Sequence, residues 1–278
     1  MMTMTLYEFL LMPSTGISLS SSSLRDSIVN MYSLTISKST TIIGLGIYLE
    51  NLGILIVTDL HLGYEEVLAE QGVHLPRSQY YKIKNMLNKL IDHLSPETIV
   101  LLGDVKHEFG EATRQEWVEV IDLMKFLKSA TREVYVVRGN HDNFLIPILR
   151  RERVPLLEPG MELGDFFLIH GHKRVELSEV SAKRLIMGHE HPAVAIRDDL
   201  GVKHKFKCFL KGDFKGRELI VLPALSPLMP GSEVNLLPTG KLLSPILRES
   251  MLENFRVFIS DPEIGIYDFG ELKYLSSL

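Results

Sequence analysis

Short apolar runs alternate with longer stretches of helical periodicity along the middle of the chain. Segments 54–58, 98–102 and 134–137 are mostly apolar, as is typical of strands buried on both faces. Between them, segments 76–93 and 115–127 repeat apolar side chains at the three- and four-residue spacing of an amphipathic helix. Strands that alternate with helices in this way predict parallel β-α-β units.

The pattern changes on either side of these units. Segments 34–37 and 41–49 predict a hairpin that leads into the first buried strand. Helical periodicity fades after residue 153, and short strands are expected at 166–169, 185–187, 205–210 and 218–222. The last segment, 245–278, has the weakest pattern and is expected to contain edge strands and a tail.

Length and composition favour one large domain. The chain has 278 residues, of which 45% are hydrophobic, so it can bury a substantial core. No internal repeat or low-complexity linker divides it, which predicts a single domain over residues 34–278. Residues 1–33 include a serine run at 20–23 and a second methionine at Met31, and they predict a flexible extension. A short regulatory tail is the alternative.

Charge and cysteine content narrow the class of protein. The net charge is -5, so no global basic field draws the chain onto nucleic acid. Cys208 is the only cysteine, which excludes an intrachain disulfide and fits a reducing compartment. No apolar run reaches the ~20 residues that a membrane span needs. We therefore expect a cytoplasmic protein that does not contact a membrane.

Side chains of the kind that bind metals follow five of the predicted strands. They are Asp59 and His61, Asp104, Asn140 and His141, His170, and His189 and His191. Seven of the ten histidines lie in or beside these five blocks, whereas ordinary core histidines would be scattered. Because the carboxyl ends of parallel strands meet at one edge of a sheet, these residues are expected to form one site.

The ligand types indicate a particular chemistry. Hydrolysis of a phosphate ester needs positive charge on the phosphoryl oxygens and an ionised water near neutral pH. Two cations about 3.5–4 Å apart supply both. A mixture of imidazole, carboxylate and amide ligands suits manganese, iron or zinc better than calcium, and the lack of clustered cysteines argues against a structural zinc site.

In order and spacing, the five blocks resemble those of the calcineurin-like metallophosphoesterases, over about residues 52–192. The resemblance implies an α/β fold, a four-layer α/β/β/α sandwich of two mixed sheets flanked by helices. It also implies two divalent metal ions as cofactors, with manganese favoured and iron, zinc or nickel as alternatives.

The resemblance further implies a role for each residue of the site. The metal ligands would be Asp59, His61 and His191 for one ion, Asn140, His170 and His189 for the other, with Asp104 between them. His141 would touch the phosphate and protonate the leaving oxygen, and Asp142 would orient its ring. His172, two residues after His170, is the alternative ligand, with a hydrogen bond to the ligand set as its expected role otherwise.

Two stretches resemble the SbcD-type repair nucleases in particular. They are Asp-Leu-His-Leu-Gly-Tyr-Glu at 59–65 and Gly-Asp-x-x-His at 103–107. In that group the last histidine is an active-site residue, which implies a catalytic role for His107. The chain after His191 is too short for the DNA-capping domain of those nucleases. The match is therefore to their compact, single-domain relatives in archaea and beside bacterial repair ligases.

This resemblance implies hydrolysis of phosphodiester bonds in nucleic acid, in DNA processing or repair, with a repair protein as a partner. A phosphodiesterase for small nucleotides is the main alternative, and a non-catalytic scaffold is a third. One basic stretch bears on the choice, because Lys203, Lys205 and Lys207 share a strand face that could track a nucleic-acid backbone. A solvated sheet face, or an edge protected by lysine, is the plainer interpretation.

Overall fold

The computed structural model of the chain describes residues 32–262 and 264–275. The expected extension, residues 1–33, lies outside these ranges except for its last two residues, and Ser33 already begins the first strand. Within the described residues, no helix combines the length and the apolar character that a membrane crossing needs.

The first sheet has seven strands that follow the order of the chain. They are β1 (Ser33–Ser37), β2 (Thr40–Ile43), β3 (Gly46–Leu49), β4 (Ile54–Val57), β5 (Thr98–Leu101), β6 (Glu133–Val137) and β7 (Leu156–Leu157). Strands β1 to β4 are antiparallel neighbours, and β4 to β7 are parallel. The predicted β-α-β units are confirmed, and the predicted hairpin is the start of a four-stranded antiparallel meander, β1 to β4.

The helices are α1 (Tyr64–Glu70), α2 (Gln79–Leu94), α3 (Arg114–Ala130), α4 (Ile146–Glu152) and α5 (Pro245–Arg248). Helices α2, α3 and α4 contribute apolar side chains to the core on the outer face of the first sheet, where Leu87 of α2 and Leu123 of α3 are fully buried. Helices α2 and α3 were predicted, with ends shifted by a few residues. Helix α1 was missed, because seven residues are too few to show helical periodicity.

The second sheet has nine strands, and its path leaves the order of the chain. They are β8 (Gly160–Leu163), β9 (Phe166–Ile169), β10 (Arg184–Met187), β11 (Pro192–Arg197), β12 (Lys203–Phe214), β13 (Arg217–Val221), β14 (Ser232–Glu233), β15 (Arg256–Asp261) and β16 (Gly265–Glu271). Strands β9, β10 and β13 are parallel neighbours. The expectation of edge strands after residue 245 holds for β16, but β15 is interior, because it pairs with both β12 and β16.

Alternating side chains build the layers. On β4, Leu55 and Val57 face the helices, while Ile54 and Ile56 face the second sheet. An apolar layer that includes Phe209 of β12 fills the space between the sheets. The outer face of the second sheet is covered by the short helix α5 and adjoining loops. The expected four-layer sandwich is confirmed, and its fourth layer is thin.

Candidate metal centre

The predicted ligands stand on short loops at the carboxyl ends of strands from both sheets. Loops after β4, β5 and β6 carry the ligands up to Asn140, and loops after β9 and β10 carry the rest. Five ligands have φ between 47° and 67°: Asp59, His61, Asp104, His189 and His191. Residues other than glycine rarely adopt this left-handed backbone conformation. It persists where the surrounding structure enforces it, as at functional sites.

Hydrogen bonds between the loops enforce this backbone. The Asp59 amide donates to the Gly103 carbonyl at 3.1 Å, and the His61 amide donates to the Asp104 carbonyl at 2.9 Å. The carboxylates take part as well. Asp104 Oδ1 accepts from the His141 amide at 2.9 Å, and Asp59 Oδ2 accepts from the His189 amide at 3.0 Å. Each carboxylate therefore ties two loops together with one oxygen, while its other oxygen lies close to histidine ring nitrogens, at 3.1 Å for Asp59 and 3.2 Å for Asp104.

The glycines that precede the ligands are explained by close approach. A Cβ on Gly139 would collide with the backbone nitrogen and Oδ1 of Asp104. A Cβ on Gly188 would collide with the Thr58 hydroxyl and lie 2.7 Å from Asp59 Oδ2. Glycine is the residue that allows backbone to come this close to a side chain.

The ligand atoms form two groups that share one carboxylate. Within each group the donor atoms lie within 4.8 Å of one another: Asp59, His61, Asp104 and His191 in the first, and Asp104, His170 and His189 in the second. Asn140 joins the second group, since its Oδ1 lies 3.2 Å from His170 Nε2. The structure thus brings all seven predicted ligands together and places Asp104 between the two groups.

The two central carboxylates remain ionised despite burial. Burial alone raises the pKa of Asp59, but the facing His191 imidazole outweighs it and lowers the pKa to about 2. Asp104 has its pKa below the usual range for the same reason, with His170 as its main opposite charge. Two ionised carboxylates at the centre of one buried site favour a cation there.

The imidazoles are suited to metal binding as well. Burial, with a contribution from His191, lowers the pKa of His61 to about 3, and burial with His170 lowers that of His189 to about 3. Both rings are therefore neutral near pH 7, as metal ligation requires. His170 differs: burial lowers its pKa, but the Asp104 and Asp59 carboxylates outweigh burial and raise the pKa to about 9, so a metal ion must displace its proton to bind there.

One buried carboxylate oxygen lies against two imidazole rings. Asp59 Oδ1 is shielded from solvent, with His191 Nε2 at 3.1 Å and His170 Nδ1 at 3.9 Å. Buried carboxylate oxygens are normally paired or coordinated to metal. The residues present therefore fit divalent ions held by mixed imidazole, carboxylate and amide donors.

The geometry distinguishes His170 from His172. His170 is buried, its Nδ1 donates to the Leu102 carbonyl at 2.8 Å, and its Nε2 lies 3.2 Å from Asp104 Oδ2. The ring of His172 is 5.3 Å from that of His170, and it belongs to neither ligand group. The structure thus places His170 in the second group and His172 outside it.

His141 lies beside the ligand groups, as expected, but Asp142 does not orient it. His141 Nε2 is 3.8 Å from Asp104 Oδ2, and its Nδ1 contacts the backbone carbonyl oxygen of His107. The Asp142 carboxylate instead accepts hydrogen bonds from the amides of Gly139, Asp104 and Val105, at 2.8–3.0 Å. The His107 carbonyl therefore orients the ring, and Asp142 clamps two loops together.

Comparison with known proteins identifies the family. The family model for calcineurin-like phosphoesterases matches residues 52–228, which contain every residue of the site. The chain belongs to this family. It is accordingly a metal-dependent phosphoric ester hydrolase. A search of curated proteins finds no match.

One of two solved structures compared with this phosphoesterase shares its fold. The structure of Pseudomonas putida nuclease MPE aligns with a TM-score of 0.60 and 18% identity, over 86% of this chain and 100% of that one. The E. coli phosphoesterase Yfce aligns with a TM-score of 0.36 and 17% identity, over 75% of this chain and 87% of that one. The first alignment supports the four-layer fold.

His107 lies on a loop whose supports were not predicted. Its Nδ1 is 3.2 Å from His61 Nδ1, so it contacts a ligand of the phosphoesterase centre. Glu116 on α3 accepts from the amides of His107 and Glu108, at 3.0 and 2.7 Å. The same carboxylate forms a capping box with Thr113 at the start of α3. The Thr-x-x-Glu spacing of this box is visible in the sequence, but its second role is not.

Phe109 is a further residue of the site that was missed. Its ring is 56% exposed and stacks on the His141 ring, with 3.7 Å between centroids and 29° between planes. An exposed phenylalanine in a loop gives no periodic signal, so the sequence alone could not mark it.

The three lysines of the basic stretch form contacts with other groups of the same chain. Lys203 and Lys205 pair with Glu233, at 2.9 and 3.6 Å. Lys207 donates to the carbonyls of Ala224 and Ser226, at 2.6 and 2.5 Å, and burial lowers its pKa to about 8. Because the Ser226 amide donates to the Asp59 carbonyl, Lys207 supports the loop behind the phosphoesterase centre.

Proposed function

We propose that this phosphoesterase hydrolyses phosphodiester bonds of nucleic acid, in DNA processing or repair, with two divalent ions and manganese as the favoured metal. The observation that carries the nucleic-acid substrate is the exposed Phe109 ring stacked on His141. Bases of single-stranded nucleic acid stack on exposed aromatic side chains. P. putida nuclease MPE, which shares the fold, is a nuclease by name and lends support at the level of the fold.

The shared carboxylate supports two ions. Asp59, His61 and His191 would hold one, Asn140, His170 and His189 the other, and Asp104 would contact both. When bound, such a pair neutralises charge on the phosphoryl oxygens and lowers the pKa of water. The chain's own contribution is to hold these donors in place, through the loop contacts of Asp59, Asp104 and Asp142.

His141 would supply the proton to the leaving oxygen. The His107 carbonyl accepts the proton of His141 Nδ1, which directs Nε2 toward Asp104 and the substrate. A histidine held in this way can act as a general acid in its protonated form. His107 would position this arrangement through its carbonyl and through its contact with His61.

A small-nucleotide phosphodiesterase is the second candidate. It is favoured by the pairing of Lys203, Lys205 and Lys207 within the chain, because no basic track is left on that strand. The net charge of -5 points the same way. If the substrate is long nucleic acid, we propose that a repair-protein partner supplies part of the binding surface.

We also propose a cytoplasmic location. A single cysteine cannot form an intrachain disulfide, which fits a reducing compartment.

The test is hydrolysis of bis-p-nitrophenyl phosphate beside single- and double-stranded DNA and RNA, with manganese and with chelator. Metal-dependent cleavage of the small diester and of nucleic acid is expected. Cleavage of the small diester and of dinucleotides alone, with little dependence on salt, would favour the second candidate. No hydrolysis of any substrate, with both metals shown to be bound, would contradict both and favour a scaffold.

A further inference from the structure

A cavity of about 350 Å³ lies next to the second ligand group. It is formed between the outer face of β9 and the loop 171–180, and His170 and His172 form part of its wall. Its volume falls within the range of pockets that bind small organic molecules. Because His170 is one of the predicted metal ligands, the cavity adjoins the phosphoesterase centre.

The floor of the cavity suits a flat, apolar group. Phe167 and Ile169 of β9 and Val180 of the loop supply apolar surface. His172 adds a second ring, and its Nδ1 is buried with no hydrogen-bond partner among the described residues. An unsatisfied ring nitrogen beside aromatic and aliphatic surface matches a nucleobase, which offers both a flat face and polar edges.

The rim of the cavity does not suit a second phosphate. Three cationic side chains are balanced by four carboxylates: Arg138, Lys173 and Arg174 against Glu158, Glu162, Glu176 and Glu179. Glu158 already pairs with Arg138 at 2.6 Å and with Lys173 at 2.8 Å. The cavity therefore favours an uncharged group, and its carboxylates can accept hydrogen bonds from sugar hydroxyls.

The centre also has two sides. His141 Nε2 and His170 Nε2 both approach Asp104 Oδ2, at 3.8 and 3.2 Å. His141 groups with His61 and His107, whereas His170 groups with His189 and adjoins the cavity. If His141 protonates the leaving oxygen, the leaving group lies on the His141 side. In an in-line displacement the attacking water lies opposite the leaving group, so the group that stays on phosphorus projects sideways, where the cavity beside His170 can receive it.

We propose that this cavity binds the nucleoside that remains attached to the phosphoryl group, so that the product is a nucleoside monophosphate. The inference rests on the proposed function for its reaction. In that reaction water adds to phosphorus, the bond from phosphorus to the leaving oxygen breaks, and the leaving oxygen departs as an alcohol with one proton. The cavity would hold the nucleoside on the retained side, and Val175 and Val180 are among the residues that line it.

Two chromogenic diesters test this inference, because they share a leaving group. Thymidine 5′-(p-nitrophenyl phosphate) and bis-p-nitrophenyl phosphate both release p-nitrophenolate, but retain thymidine and nitrophenyl, respectively. The wild-type kcat/KM is expected to be at least about tenfold higher for the thymidine ester. Val180→Trp fills the cavity and should abolish this ratio. Val118→Trp is the matched control, because Val118 lies on α3 and is 63% exposed; this variant should keep the wild-type ratio.

Binding of thymidine 5′-monophosphate to the metal-loaded protein, measured by calorimetry, gives an independent readout. Wild type should bind it about tenfold more tightly than inorganic phosphate, and Val180→Trp should bind the two equally. Val175→Trp serves as the second variant if Val180→Trp does not fold. Equal affinities in wild type, or an unchanged preference in both folded variants, would overturn the inference. If the protein hydrolyses neither ester but binds thymidine 5′-monophosphate in a way that Val180→Trp abolishes, the proposed function is refuted and the cavity is still a nucleoside-binding site.

Discussion

At the scale of single residues, His141 has the contacts of a proton donor and lies outside the two complete ligand groups. His141→Ala should lower kcat by about 10²–10⁴-fold, the usual contribution of general acid catalysis. The metal content of the purified protein should not change, because the seven ligands remain. His204→Ala, which removes a histidine paired with Asp198 on the surface, is the control. Wild-type turnover by His141→Ala would refute the acid role.

Gly139 allows two ligand loops to approach each other. Gly139→Ala places a methyl group against Asp104, which must move out of both ligand groups to relieve the collision. We expect a loss of about 1–3 kcal/mol in the free energy of unfolding and weaker metal binding. Denaturant unfolding and metal titration measure the two effects. Gly240→Ala, with no atom within 4 Å of the new Cβ, should change neither, and equal behaviour of the two variants would contradict the explanation.

Residue types predicted which side chains come together at the centre better than they predicted the contacts of those side chains. Asp104 and His170 were identifiable because they end predicted strands in a recognisable order. The clamp made by Asp142 and the burial of Lys207 were not, since each depends on backbone groups that are far away in sequence. A lysine in a basic stretch gives no sign that it will point inward to bind carbonyls.

At the scale of elements, the start of α3 connects helix capping to the site. Glu116→Ala removes acceptors for the amides of Thr113, His107 and Glu108. We expect it to lower the free energy of unfolding by about 1–3 kcal/mol and to reduce kcat, because the loop that carries His107 loses its support. Glu111→Ala, on the exposed part of the same loop, is the control. Reduced stability without reduced kcat would show that Glu116 acts only as a cap.

The long elements were predictable and the short ones were not. Strands β4 to β6 and helices α2 and α3 each bury a regular apolar face, so their periodicity is strong. Helix α1 and the interior position of β15 depend on packing against other parts of the chain. The second sheet departs from the order of the chain, and no local pattern specifies which strands pair.

At the scale of the whole molecule, the apolar layer between the sheets is the main link between the two halves. Phe209 is fully buried in this layer. Phe209→Ala should lower the free energy of unfolding by about 3–5 kcal/mol, as for other large cavities. Phe109→Ala, the same change at a 56% exposed position, should cost less than about 0.5 kcal/mol. Similar urea unfolding midpoints for Phe209→Ala and Phe109→Ala would show that the apolar layer contributes little to stability.

The division of the ligands between two sheets has a consequence for the synthesis of the protein. Asp59, His61, Asp104 and Asn140 emerge from the ribosome with the first sheet, but neither ligand group is complete before residues 170–191 follow. Strand β10 must then pair with β13, which ends at Val221. A nascent chain therefore has no complete centre until most of its length has been made, and a product that ends before His189 lacks residues of both ligand groups. Both ligand groups can therefore form only after this later part of the chain has been translated and folded.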